Sequence, residues 1–416
     1  MERYRPVRVR LDNGLGVIAV RHAEADAVAV QVWLGVGARD EEDREAGLSH
    51  FIEHLVFKGT PTRGPGVIDR TIAGCGGDLN AATSQDYTFY HAVVPTRHAD
   101  TAMDVLADAV MNPAFDAEEV ERERLVVLEE IRRANDNPGA YLSRLLRREH
   151  FARHPYGRPV LGTPDSIRSM TRADVVAYHR RHYVPANATL VLVGRLGPER
   201  AIARAEAVFG GWAPGAVPAR TPEPIPESGH VRRVEEPRDV RQTYLGMVWP
   251  GPVVPDAEVY AVDLLASILG GGRASRLYQG LKEGLGLVSG IGAGHSALRE
   301  GGTITVTALT ASAEPNQVEA AVVAEVARLR EVLVSDTELE RARTAVEASY
   351  AFGFEAAEGV AQAYGLAQTV WTLEFELGYL LAVGRVTHEE VRAAARRYLT
   401  PDRFVRVSLV PREGTG

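Results

Sequence analysis

The sequence of 416 residues holds a single cysteine, Cys75. One thiol excludes an intramolecular disulfide and removes thiolates as a metal-ligand set. Cys75 reads as a small buried filler rather than a nucleophile. Lysine occurs only as Lys58 and Lys282, so arginine carries nearly all the positive charge. Basic residues number 47 against 55 acidic ones, a net charge of −8 with a pI near 5.9. That balance excludes a nucleic-acid-binding profile, because gripping phosphates requires a clustered basic excess. Long apolar runs are also lacking: no stretch approaches the roughly 18 uninterrupted apolar residues of a membrane span. The opening Met-Glu-Arg-Tyr-Arg-Pro-Val-Arg-Val-Arg has no apolar core of a secretory signal, so a soluble, cytoplasmic protein is expected. What remains is globular in character, with 45% hydrophobic and 25% charged residues, and too long for one ordinary core. Two domains or more are expected.

The stretch that carries chemistry is Gly47-Leu-Ser-His-Phe-Ile-Glu-His-Leu-Val-Phe-Lys-Gly-Thr60. Its apolar filling and lack of proline predict a helix. Four-residue spacing then stacks His50 and His54 one turn apart, about 6 Å along the axis, where both imidazoles reach one ion. Glu53 shares much of that face, placed to deprotonate a water rather than to bind the metal itself. The order His-x-x-Glu-His inverts the commoner zinc-protease motif.

In chain order, strands are predicted at Val7 to Leu11, at Val17 to Arg21 after an Asp12-Asn13-Gly14 turn, and at Ala27 to Leu34, where Val28, Val30 and Val32 alternate. A polar loop, Gly35 to Glu45, feeds the His50 helix. A helix near Val67 to Ala73, the run from Gly76 to Ser84 and a strand from Tyr87 to Val94 follow. Residues 117–134 predict a long charged helix on which Glu123, Val127 and Glu130 share a face. A glutamate on a partly apolar face is costly unless paired or metal-bound, which makes Glu130 a natural third ligand. Glu121 and Glu129 read instead as members of a solvated, arginine-paired face.

A turn-rich loop at 154–163, a helix from Thr171 to Tyr183 and a strand from Ala188 to Val193 lead into a proline-rich stretch, Ala213 to Ser228. Prolines there prevent a regular element, and the stretch is read as a linker. The expected domains are 1–212, a linker at 213–234, and 235–416. The second half repeats the first: at an offset of 216, Thr171 falls on Thr387, Val175 on Val391, Arg180 on Arg396, Arg181 on Arg397, Pro185 on Pro401 and Val191 on Val407. The same offset sets Ala266, Leu269 and Gly270 opposite His50, Glu53 and His54, so the second domain has no such motif. Its expected elements are a strand from Gln242 to Trp249, a helix from Ala257 to Leu269 and a strand from Thr303 to Leu309. The Gly270-Gly271-Gly272 run lacks the Lys-Ser/Thr ending of a phosphate loop.

Over nearly its whole length the chain resembles the pitrilysin/insulinase family of inverted-motif zinc peptidases, which includes the mitochondrial processing peptidase and respiratory core subunits. The resemblance rests on His50 to Thr60, Gly77-Asp-Leu-Asn-Ala81, Glu123 to Ile131, and His154-Pro-Tyr-Gly157. It implies an α+β fold of two homologous domains, each a mostly antiparallel sheet with helices packed on one face, forming half of a clamshell. It implies Zn2+ held by His50, His54 and Glu130, whose place 76 residues past His54 selects it over Glu129. It further implies Glu53 as the base, Glu123 as support behind the ligands, and Asn80 and Ala81 on a sheet edge that binds an extended peptide substrate. Active members place an arginine and a tyrosine in the second domain, where this chain has Lys282 and Ser289. Lysine lacks the planar fork of arginine, and serine lacks the reach of a phenol. The leading expectation is therefore the zinc-bearing subunit of a heterodimer whose homologous partner carries the Arg/Tyr pair. The alternatives are a self-sufficient homodimeric peptidase, in which Arg276 and Tyr278 or other residues take over the oxyanion work, and a non-catalytic assembly subunit. Retention of His50, Glu53, His54 and Glu130 argues against the last. No nucleic acid and no membrane are expected as partners.

Overall fold

The computed structural model describes residues 4–24, 26–225 and 229–412. The chain divides into two compact units, each assembled from several segments: Met1–Arg132, Arg158–Thr221 and Ala351–Leu377 in one, and Arg133–Gly157, Pro222–Tyr350 and Gly378–Gly416 in the other. This interleaving departs from a division into 1–212 and 235–416. Each unit takes one helix from the half of the sequence that otherwise builds its counterpart.

The first unit is built on strands β1 (Val7–Arg10), β2 (Gly16–Arg21), β3 (Ala27–Leu34), β4 (Asp78–Thr83), β5 (Thr88–Pro95) and β6 (Ala188–Gly194), arranged β1-β2-β6-β3-β5-β4. All neighbours are antiparallel except β2 and β6. Both faces of β3 are buried. Val28, Val30, Val32 and Leu34 face a core that also holds the apolar residues of the Leu48–Val56 and Ala99–Met111 helices. Ala29 and Trp33 face the other way, against Ala357, Val360, Ala361 and Tyr364 of the Ala357–Val370 helix. The opposite face of the sheet is thus covered by a helix from a distant part of the sequence. Gln31, buried on that face, is satisfied by accepting from Trp33 Nε1 at 2.9 Å and donating to the Glu358 carbonyl at 3.3 Å. Gly365 is required there, since a Cβ would stand 2.0 Å from Trp33 Nε1.

The second unit repeats the plan with β7 (Arg232–Arg238), β8 (Thr243–Gly251), β9 (Gly290–Ala297), β10 (Gly302–Thr310) and β11 (Val405–Pro411), arranged β7-β11-β8-β10-β9. This is the order β2-β6-β3-β5-β4 again, with β7 and β11 the parallel pair. Its outer sheet face packs on Leu142, Leu145 and Leu146 of the Pro138–Phe151 helix, the counterpart of Ala357–Val370. Strand β7 begins within the stretch read as linker. Its alternation of charged and half-buried residues conceals a strand, and Pro237 is tolerated because β7 lies at the sheet edge. Residues 213–225 have no regular structure, while Pro226 and Ser228 lie outside the described residues. The repeat is also visible in the caps: Thr171 and Thr387 each accept from the backbone N–H three residues on, opening the Arg172–His182 and His388–Tyr398 helices. Among the described residues no helix is long and apolar enough to cross a membrane. Cys75 is half-buried, is not in a disulfide and packs against the first core.

Candidate metal centre

The Leu48–Val56 helix divides its faces as the sequence predicts. Leu48, Phe51, Ile52 and Leu55 sink into the first core, while His50, Glu53 and His54 lie on the remaining face. Its start is fixed by contacts invisible in local sequence. Gly47 takes the left-handed conformation, φ 92°, and a Cβ there would lie 2.7 Å from Gly162 of the turn-rich loop. The Glu41 carboxylate accepts from the N–H groups of Gly47 and Ser49, both at 2.8 Å, and so satisfies the helix N-terminus. Burial raises the Glu41 pKa to about 8 against these hydrogen bonds. The loop from Gly35 to Glu45 is accordingly no solvated connector. Val36, Ala38, Arg39 and Glu41 are all buried, and Arg39 pairs with the buried Asp86 at 2.7 Å.

Glu130 arrives from the Ala117–Asp136 helix, which buries Val120, Val127 and Ile131 in the same core. Among the described residues, His50, His54 and Glu130 form the one group of three potential ligands whose donor atoms all lie within 4.8 Å of one another. Glu130 Oε2 is 3.5 Å from Nε2 of His50 and 3.5 Å from Nε2 of His54. That is long for a hydrogen bond but close to the about 3.3 Å that separates two donors on a tetrahedral zinc with bonds near 2.05 Å. Two imidazoles and one carboxylate are a donor set that a catalytic zinc takes while keeping a fourth position open. The residues therefore fit the ion. Glu129 instead pairs with Arg132 along its own helix, at 2.8 Å.

Electrostatics favour positive charge at this point. His54 is pulled down by burial, yet its hydrogen bond to Glu123 and the charges of Glu53 and Glu130 outweigh burial and carry its pKa up to about 9. Burial and the neighbouring His54 push His50 down to about 4. Burial raises the Glu53 carboxyl above its ordinary range, the direction a base working near neutral pH requires.

Two further contacts shape the cluster. Glu123 is buried, and its Oε2 lies 3.1 Å from Nδ1 of His54 while its Oε1 lies 2.7 Å from Lys58 Nζ. The first contact aims the His54 ring so that Nε2 faces Glu130. Lys58 was not read as part of the site. Its place four residues after His54, one turn further along, was the available signal. Likewise missed was Thr83, whose Oγ1 donates to Glu53 Oε2 at 2.6 Å from the end of β4. Asn80 and Ala81 lie on β4, which is the edge strand of the first sheet. The Asn80 side chain accepts from the Ala81 N–H at 2.9 Å.

In the second unit, Lys282 belongs to the π-helical segment Tyr278–Gly284 and rests over the Tyr278 ring, 4.8 Å from its centre. Ser289 Oγ donates to the Leu309 carbonyl at 3.2 Å. Arg276 is held by Glu338 through two contacts of 2.7 and 3.1 Å.

A duplicated sheet order, with a His-x-x-Glu-His helix in the first repeat alone, defines an inverted-motif zinc-protease scaffold. Residues 17–164 match the family model described as Insulinase (Peptidase family M16), and residues 169–346 match the one described as Peptidase M16 inactive domain. The "Uncharacterized zinc protease Rv2782c" of Mycobacterium tuberculosis (strain ATCC 25618 / H37Rv) is 32% identical over 405 residues, covering 95% of this chain and 91% of that protein. The "Uncharacterized zinc protease YmxG" of Bacillus subtilis (strain 168) is 28% identical over 396 residues, covering 95% and 96%. Among solved structures, a protease from Helicobacter pylori superposes with a TM-score of 0.93 at 24% identity, over 98% of this chain and 100% of that one. The periplasmic protease PqqL from Escherichia coli superposes with a TM-score of 0.81 at 21% identity, over 98% of this chain and 48% of that one. The chain belongs to peptidase family M16, the insulinase family.

Proposed function

We propose that the chain is the zinc-bearing subunit of a peptidase that cleaves unfolded or short peptides, with a homologous partner subunit supplying the Arg/Tyr pair. The observation that carries the reading is the convergence of His50, His54 and Glu130 on one point beside Glu53. His50 Nε2, His54 Nε2 and Glu130 Oε2 would hold Zn2+, and Glu123 keeps the His54 ring aimed through Nδ1. When bound, zinc supplies the positive charge that lowers the pKa of water toward about 7 and polarises a carbonyl. Glu53 accepts the proton of the attacking water and returns it to the departing amine. The exposed backbone of β4 around Asn80 and Ala81 receives the peptide as an added strand.

The heterodimer is supported by what the second unit does with its candidate substitutes. Arg276 is committed to Glu338, Ser289 to the Leu309 carbonyl, and Lys282 to the Tyr278 ring. These contacts engage Arg276 and Ser289 and set Lys282 on a neighbouring ring, which supports the divided site over the self-sufficient homodimer. A cytoplasmic setting belongs to the same reading and is tested by cell fractionation. The function is tested by assaying the zinc-loaded chain on unstructured peptides, alone and with its co-purifying homologue. Hydrolysis that needs the homologue is expected. Full activity of the chain alone would replace the heterodimer by a homodimer, and inactivity in both assays would overturn the peptidase reading.

A further inference from the structure

We propose that Thr83 is the positioning residue for Glu53, and that it ties the base to the strand along which substrate binds. The inference rests on the peptidase reading given above. Thr83 Oγ1 lies 2.6 Å from Glu53 Oε2, a short contact of the kind a hydroxyl makes to a carboxylate. The direction of the proton follows from the neighbours. Among the described residues the other side chain within hydrogen-bond range of Thr83 Oγ1 is Thr88, whose oxygen is 3.4 Å away and which gives its own proton to the Val36 carbonyl at 2.9 Å. Thr83 therefore donates to Glu53. Oε2 is occupied, and Oε1 has no hydrogen-bond partner among the described residues, which makes it the oxygen that takes the proton from water.

The donor is itself held firmly. Thr83 is the last residue of β4 and stands opposite Thr88 in the ladder with β5. A β-branched side chain on a paired strand has little freedom about its first torsion. Glutamate, by contrast, has several rotatable bonds, so a fixed donor on one oxygen selects a single orientation of the carboxylate. Asn80 and Ala81, the residues expected to pair with the peptide backbone, precede Thr83 on the same strand. One rigid element thus sets both the line of the substrate and the aim of the base. Leu79 and Ala81 pack against the first core and Ala82 against the other face, which anchors the strand from both sides.

The test uses the full zinc-loaded chain, with its homologue where activity requires it, and compares Thr83→Val, Thr83→Ala and Thr83→Ser. Valine keeps the shape and the strand preference while removing the donor; serine keeps the donor. In Thr83→Val and Thr83→Ala, kcat is expected to fall about tenfold, the loss of one oriented hydrogen bond at the base, with KM and zinc content unchanged. Thr83→Ser is expected to stay within about twofold of wild type. Peptide affinity, measured in the inactive Glu53→Gln background, is expected to be the same with and without Thr83→Val. Unchanged kcat in both donor-less variants would overturn the inference while leaving the peptidase reading intact. A weaker peptide affinity with kcat preserved would also overturn it, by making Thr83 a substrate contact. An inactive wild type would overturn the peptidase reading and this inference together.

Discussion

The same junction of helix and edge strand occurs twice in this chain and is used in two different ways. In the first unit, the Leu48–Val56 helix presents His50, Glu53 and His54 beside β4, and Thr83 meets Glu53 there. In the second, the Glu258–Gly270 helix lies beside β9 and carries no His-x-x-Glu-His motif. Leu269 is wholly buried, and Gly270 approaches β9 so closely that a Cβ would stand 2.1 Å from the Ala293 nitrogen. Among the described residues the second junction has no group of three potential metal ligands. About two turns before Gly270, Asp263 lies 2.7 Å from His295 Nδ1 and accepts from Tyr379 at 2.6 Å, a polar contact made within its own unit. The sheet order is common to both units and the donor cluster is not, so what distinguishes the units is a set of side chains rather than the fold.

The largest effect is expected at the base. Glu53→Gln removes the proton acceptor and keeps the shape, so peptide hydrolysis should fall by about a thousandfold or more while zinc content stays at the wild-type level. A mutant retaining most of its activity would remove Glu53 from that role. The second unit is tested by filling its junction. Gly270→Ala should lower stability by about 2 kcal/mol, read as a drop in Tm, because the strand backbone cannot yield as a flexible side chain would. Gly74→Ala, which meets nothing within 4 Å, should change stability by less than about 0.5 kcal/mol. Equal effects would mean that the second junction is no tighter than an open surface.

The smallest effect concerns Arg276. Its hydrogen bonds to Glu338 depress the Glu338 pKa from 4.5 to about 2. A carboxylate whose folded-state pKa is lowered contributes stability that is present above its unfolded value and lost as pH falls from about 4.5 toward 2. Glu338→Gln should therefore cost about 1 kcal/mol at pH 7, discounted for partial solvent screening, and close to nothing near pH 2. A loss independent of pH would show that Glu338 acts through packing, and would free Arg276 for the self-sufficient alternative.

Much of this was legible from residue order alone. The helix of His50 and His54, the shared face of Glu123 and Glu130, and the 216-residue offset depend on local periodicity, which the chain carries openly. What could not be read depends on which distant segment meets which. The periodicity of Pro138–Phe151 and Ala357–Val370 marks an apolar face but not the sheet that receives it, so the interleaving of the units was hidden. Strand β7 begins inside the expected linker 213–234, just after its run of prolines, and its charged exposed face leaves no apolar run to mark the start. Glu41 at the helix start and Thr83 at the base act across the fold, through hydrogen bonds that no spacing rule encodes. Lys58 reaches Glu123 from the turn just past the end of the His50 helix, four residues after His54.

Zinc stoichiometry of the purified chain under chelator competition reads directly whether the first unit alone holds the metal. One zinc per chain is expected, retained when Glu129 is changed to Gln and bound about a hundredfold more weakly, or lost, when Glu130 is changed to Gln. Zinc retained at full affinity in Glu130→Gln, or stripped by Glu129→Gln, would contradict it.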